Sequence, residues 1–171
     1  VALYAQNMPN WPAAYFAATA FGRVIVPILP DFSGIETEYI IKHSESKALI
    51  ISQRLADKIS RASIEEMNIV INLDTLNVIW QKPNDEVKAV IPPKTEDLAT
   101  IIYTSGTTGN SKGVMLTHRN LCRHLDSAST MRPGFDWDVW LSVLPLSHTL
   151  ESSLCMLLPI LSGSKVYYIE K

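Results

Sequence analysis

A chain of 171 residues, 47% apolar and 19% charged, has the length and composition of one compact domain with a core of its own. Its formal charge of −2 gives no electrostatic footprint for nucleic acid, and no apolar run reaches the roughly 18 residues that a membrane span needs. Two cysteines, Cys122 and Cys155, neither frame a disulfide scaffold nor form a cysteine–histidine cluster with zinc spacing, so both are expected as buried cytosolic thiols.

Residues 1–5 (VALYA) read as a core strand, with no basic region or cleavage site to mark a signal peptide. The first residue is valine and the closing KVYYIEK is strand-like, so both ends read as cut from something longer. Asn10 is placed to cap a helix that Pro12 helps to start and Gly22 ends; WPAAYFAATAF between them is apolar on nearly every face, which predicts cover on more than one side. Residues 24–29 (VIVPIL) follow as a buried strand, Pro27 pointing to a sheet edge or a strand end. Ser33 and Glu36 form a capping-box pattern for a helix to about residue 44. Strands are expected at 47–52 and 68–74, with Leu55, Ile59 and Ala62 at helical spacing between them. Residues 80–96, rich in proline and charge, read as a surface excursion between two halves. A strand at 97–104 (DLATIIYT) leads into a Gly/Thr loop, Thr117 is placed to cap a helix to about residue 129, and strand 140–146, a helix to Gly163 and KVYYI close the chain. Strand alternating with helix predicts an α/β fold, a mainly parallel sheet with helices on both faces.

The stretch that carries chemistry is YTSGTTGNSKG, from Tyr103 to Gly113. Its order is expected as strand, loop, helix, and in an open parallel sheet such loops lie where ligands bind, beyond the carboxyl ends of the strands. Gly106, Gly109 and Gly113 permit backbone conformations that turn successive N–H groups toward one anion. Thr104, Ser105, Thr107 and Thr108 add hydroxyl donors and Lys112 adds a positive charge, an inventory that suits a polyphosphate. A Walker loop fails on spacing, because counting from Gly106 its second glycine falls on Ser111, and the dinucleotide fingerprint fails for want of a G-x-G.

This run resembles the phosphate-loop signature of the adenylate-forming, AMP-binding superfamily, aromatic-T-S-G-[ST]-T-G-x-P-K-G, with one departure: Ser111 stands where the family has proline. The loss relaxes φ and adds a backbone donor while leaving Lys112 in register. The opening thirty residues, EYIIKHSESKALIIS and LPLSHTLE are similar to further segments of the same family, so the resemblance covers nearly the whole chain; the last two look most like long-chain fatty acyl-CoA ligases. The resemblance implies part of the large N-terminal domain of an acyl-CoA synthetase, residues 1–171 forming a single excised portion. The family's adenine-site motifs, its hinge and its C-terminal lid domain are absent before Lys171. It implies ATP, Mg²⁺ and coenzyme A as cofactors, a fatty acid or other carboxylate as substrate, and a cytoplasmic enzyme peripheral to a membrane in its full-length form. By the same resemblance Thr104, Ser105, Gly106, Thr107, Thr108, Gly109 and Lys112 hold the β- and γ-phosphates, and His148 lines the site beside the acyl carboxylate. The excised portion is expected to be inactive alone and to self-associate through its uncovered faces.

Other residues attract plainer readings. Glu151 is expected to face solvent or to favour a helix N-terminus by its charge. His43, His118 and His124 lie on different elements with no metal-binding convergence, and Trp11, Trp80, Trp137 and Trp140 read as core or boundary residues. Asp57, Lys58, Arg61, Glu65 and Glu66 read as a solvated helix face. Two alternatives remain open on sequence: a doubly wound phosphotransferase or nucleotide hydrolase with a nonstandard phosphate loop, and a non-catalytic scaffold domain.

Overall fold

The computed structural model describes residues 1–83, 90–104 and 111–169. Four short apolar strands run parallel at its centre, β1 (Ala2–Tyr4), β2 (Val26–Ile28), β3 (Ala48–Ile51) and β4 (Ile69–Asn72). With antiparallel β5 (Val78–Gln81) at one edge, their order is β2-β1-β3-β4-β5. Side chains alternate across a strand, and both faces are filled. Ala2 and Tyr4 join a cluster with Ile40 and Ile41 of α2 (Gly34–His43), while Leu3 and Ala5 join another with Trp11 and Tyr15 of α1 (Asn10–Thr19). The chain thus crosses from β1 to β2 over one face and from β2 to β3 over the other, which puts a topological switch point between β1 and β3.

Local chemistry explains most of these bounds. Ser33 and Glu36 close their capping box as expected. Asn10 is not a cap: Pro9 holds that position, and the Asn10 amide donates to the Leu73 and Asp74 carbonyls, tying α1 to the end of β4. The helix expected through Leu55, Ile59 and Ala62 divides into a 3-10 turn (Gln53–Lys58) and α3 (Arg61–Glu66), whose start Ser60 caps. α3 bears Arg61, Glu65 and Glu66 of the expected solvated face, with Arg61 and Glu65 paired at 2.8 Å, while Asp57 and Lys58 fall in the 3-10 turn. Within the expected surface excursion the end of β5 is strand, residues 84–89 lie outside the described residues, and 90–92 are exposed.

β6 (Leu98–Thr104) extends the parallel sheet beside β2, with Ile25 N–H donating to the Ala99 carbonyl and Ile101 N–H to the Ile25 carbonyl, each at 3.0 Å. Pro27 is the next residue of β2 to face that side and has no N–H to give, so the ladder ends there. The sequence reading then fails. β6 is followed by another strand, β7 (Lys112–Thr117), antiparallel to it with Thr104 opposite Lys112 and Leu98 opposite Thr117. Helix α4 (His118–Met131) begins after β7 under a Thr117–Asn120 capping box. Its first N–H groups, of His118 and Arg119, donate to the carbonyls of Asp97 and Thr95, at the end of β6 remote from Thr104.

The remaining strands, β8 (Val139–Ser142) and β9 (Lys165–Tyr168), pair in parallel. Between them α5 (Thr149–Ser152), a π-helical turn (Ser153–Leu157) and α6 (Leu158–Ser162) end at Gly163 with φ 71°. Met156 and Leu157 of this run pack into the α1 cluster. Two expectations of burial are corrected: Cys122 is exposed on α4, which buries no residue, and Trp137 is 73% exposed, stacked on Phe135 at 4.8 Å. Cys155 is half-buried. Among the described residues no helix is long and apolar enough to cross a membrane.

Candidate functional site

Because β6 runs parallel to β2, its last residue, Thr104, lies at the edge where the carboxyl ends of β1, β2 and β3 also lie. Lys112 is placed there by the cross-strand pairing, and both residues are exposed. Ser105, Gly106, Thr107, Thr108 and Gly109, which join them, lie outside the described residues.

The stem beneath is firmly held. Tyr103 is buried, and its hydroxyl shares a 2.7 Å hydrogen bond with Nδ1 of His43 at the end of α2. Burial, and then neighbouring Tyr39, raise the Tyr103 hydroxyl above its ordinary pKa. Across the hairpin, a Cβ on Gly113 would stand 2.8 Å from Ile101 Cγ2 and 3.2 Å from Tyr103 Cζ, so only glycine fits there as the strands stand. His43, read on sequence as unremarkable, is therefore an anchor of the strand that ends at Thr104.

His148 ends a segment of irregular backbone that leaves β8. Its Nδ1 accepts from Leu150 N–H at 3.3 Å, capping α5, and the ring is exposed. A neutral imidazole that accepts at Nδ1 carries its proton on Nε2, so the ring offers a donor suited to a carboxylate or phosphate oxygen. Asn7, just beyond β1, fixes the segment's place: its Oδ1 accepts from Leu146 N–H at 2.8 Å and its amide donates to the Leu144 carbonyl at 2.7 Å. His148 therefore belongs to the same carboxyl edge as Thr104 and Lys112.

Glu151 lies in the first turn of α5, where its charge favours the helix N-terminus as expected, but it does not face solvent. It is 4% exposed, and its Oε1 accepts from the Ser142 hydroxyl at 2.6 Å and from Val143 N–H at 2.8 Å. Burial, and then the Glu151 carboxylate, push the half-buried Cys155 thiol up to about 11. The roles of Asn7 and Glu151 escaped the sequence reading because their partners lie on a remote segment or at a strand end, for which no spacing pattern exists.

A cavity of about 340 Å³ opens beyond β1 and β3, lined in part by Gln6, Asn7, Asp31, Arg54, Lys58 and Pro145. It lies at the switch point, where doubly wound sheets take ligands. Its wall carries two cations, Arg54 and Lys58, against one carboxylate, Asp31, a net positive balance. Neither Thr104 nor Lys112 lines it.

A doubly wound sheet with an exposed lysine and threonine at its carboxyl edge is of the class that takes ligands beyond its strand ends. The chain belongs to the AMP-binding enzyme family, whose model matches residues 1–171. It is 33% identical over 171 residues to long chain acyl-CoA synthetase 7, peroxisomal, of Arabidopsis thaliana (88% of this chain, 24% of that one). It is 29% identical over 183 residues to fatty acyl-CoA synthetase A of Dictyostelium discoideum (95% and 27%). It spans about a quarter of the length of these relatives. Among solved structures it is similar in fold to the O-succinylbenzoate coenzyme A synthetase of Bacillus subtilis in complex with AMP, with a TM-score of 0.78, 24% identity, and coverage of 99% of this chain and 42% of that one. The sheet and its covering helices are thus the α/β fold of adenylate-forming enzymes.

Proposed function

We propose that this chain is the N-terminal portion of the AMP-binding domain of an ATP-dependent acyl-CoA ligase, acting on a long-chain fatty acid. The observation that carries the reading is the run SGTTGNS between β6 and β7 in the sequence, with Thr104 and Lys112 exposed on either side of it at the carboxyl edge. The names of the relatives support the choice of a fatty acid and of coenzyme A as acceptor.

In such a reaction a carboxylate oxygen bonds to the α-phosphorus of ATP and pyrophosphate departs; a thiol then bonds to the acyl carbon and AMP departs. The first step brings anion onto anion, so positioning and charge neutralisation dominate. Lys112 supplies a mobile counter-charge to the β- and γ-phosphates, and Thr104, with Ser105, Gly106, Thr107, Thr108 and Gly109, supplies hydroxyl and backbone donors. His148 donates from Nε2 to the acyl carboxylate and holds it in line. Among the described residues no three acidic, histidine or cysteine side chains converge, at this edge or elsewhere. Mg²⁺, when bound there, shares the charge of the departing pyrophosphate.

The parallel pair β8–β9 leaves Val139, Leu141 and Tyr167 exposed, whereas parallel strands are ordinarily covered on both faces. We infer that other parts of a longer enzyme cover them, and that the isolated 171-residue chain self-associates and lacks ligase activity. The test is fatty-acid-dependent ATP–pyrophosphate exchange, followed by thioester formation on adding coenzyme A, in the full-length polypeptide and in the isolated chain. Exchange that requires a long-chain fatty acid, in the full-length form alone, is expected. Nucleotide hydrolysis indifferent to fatty acid would overturn the ligase reading.

A further inference from the structure

We infer that Asn7 and Glu151 are positioning residues: together they hold the backbone of residues 142–148 in the one conformation that presents His148 at the carboxyl edge. The inference rests on the proposed role of His148. The segment between β8 and α5, Val143-Leu144-Pro145-Leu146-Ser147, belongs to no helix or strand, so its polar backbone groups need partners from elsewhere. Two side chains supply three of them. Glu151 Oε1 takes the Val143 N–H, while Asn7 takes the Leu146 N–H on its oxygen and gives its amide to the Leu144 carbonyl. A fourth bond, from His148 N–H to the Pro145 carbonyl at 2.8 Å, turns the chain into α5.

The two clamps are joined. The Ser142 hydroxyl accepts from the Asn7 amide at 3.3 Å and donates to Glu151 Oε1 at 2.6 Å. Asn7, Ser142 and Glu151 are 6%, 0% and 4% exposed, so water does not substitute for a lost partner. A buried carboxyl is costly unless hydrogen-bonded, and here its bonds converge on the strand end that launches the segment. Ser142 and Glu151 do not line the cavity beyond β1 and β3, and Asn7, which does, has its side chain bonded to Leu144 and Leu146; the three act through the backbone on where the imidazole sits. A displacement of about 1 Å at such a group costs on the order of 100-fold in rate.

The experiment compares Glu151→Ala, Glu151→Gln, His148→Ala and the double variant His148→Ala/Glu151→Ala in the full-length ligase, by fatty-acid-dependent ATP–pyrophosphate exchange. Glu151→Ala is expected to lower kcat roughly 10- to 100-fold while the KM for ATP stays within about threefold. Glu151→Gln, whose side-chain oxygen still accepts from Ser142 and Val143, is expected to stay within about threefold of wild type. If Glu151 acts through His148, the double variant is no slower than the slower single one. Glu151→Ala at the wild-type rate beside a slow His148→Ala overturns the inference alone; multiplied losses in the double variant do the same. His148→Ala at the wild-type rate overturns the histidine role and the inference with it. Should Glu151→Ala fail to fold, Glu151→Asp, one methylene shorter, takes its place with the same expected split.

Discussion

Replacing Lys112 by alanine separates function from stability more cleanly than any other change at the site. Lys112 is exposed, and it heads β7 rather than sitting inside the ladder. Its removal leaves no cavity, and the expected effect on stability is within about 0.5 kcal/mol. In a closed site around a triphosphate the same ammonium makes a charge-assisted hydrogen bond, worth about 1.5–3 kcal/mol. At about 1.4 kcal/mol per tenfold, kcat/KM for ATP should fall roughly 10- to 150-fold in the full-length ligase. Lys112→Arg keeps the charge and should recover part of the loss. The assay is pyrophosphate exchange across an ATP series, with a thermal melt of each variant. An unchanged melting temperature with kcat/KM within about twofold of wild type would refute the assignment of Lys112 to the phosphates.

Other expectations follow from the scaffold. A Cβ on Gly34 would run into the backbone carbonyl of Lys58, which has no rotamer by which to yield, so Gly34→Ala should cost about 1–3 kcal/mol or more in urea unfolding. Exposed Cys122 should be alkylated quickly at pH 8, and Cys155 slowly, because a thiol pushed up to about 11 is only about one part in a thousand thiolate at that pH. Raising the pH to about 10 should narrow the gap. The same shift stabilises the folded state below the ordinary thiol pKa and is lost as pH rises through about 11. The Ser33 hydroxyl, and then its backbone N–H, hold the Glu36 carboxyl below the usual carboxylate range. Stability from that cap is present above the ordinary carboxylate pKa and fades as pH falls through the depressed one, so the melting-temperature gap between wild type and Ser33→Ala should shrink on acidification.

The parallel core was legible because its signals are local: continuous apolar runs for β1, β3 and β4, a capping box for α2, a capping threonine for α4. What escaped was set by distant partners. β7 carries a glycine and a lysine in six residues and reads as loop; it is a strand because β6 lies beside it, and Gly113 is there because the Tyr103 ring is. β5 (VIWQ) is a short apolar run at an exposed edge, leading into a stretch rich in proline and charge, and nothing local marks it as a strand. Asn10 carried a capping signal that its amide spends on the end of β4 instead. The site divides the same way. Thr104 and Lys112 could be named from the motif, while His43 beneath Tyr103 and the Asn7–Ser142–Glu151 chain depend on contacts between remote elements.

The strand after the loop changes how the phosphates would be neutralised. A glycine-rich turn that opens straight into a helix adds about half a positive charge from the helix N-terminus. Here β7 intervenes: its six residues span roughly 17 Å, about twice the physiological screening length. It also runs antiparallel to β6, so the amino end of α4 is bonded to Asp97 and Thr95, at the opposite edge of the sheet from Thr104. A two-stranded antiparallel hairpin has almost no net dipole to offer in exchange. On the proposed reading the counter-charge beside the loop would come from Lys112, backbone amides, the serine and threonine hydroxyls and a bound cation rather than from α4. This is a physical reason for so many hydroxyl side chains in one short run, and for the sensitivity expected of Lys112: no dipole from α4 stands behind it.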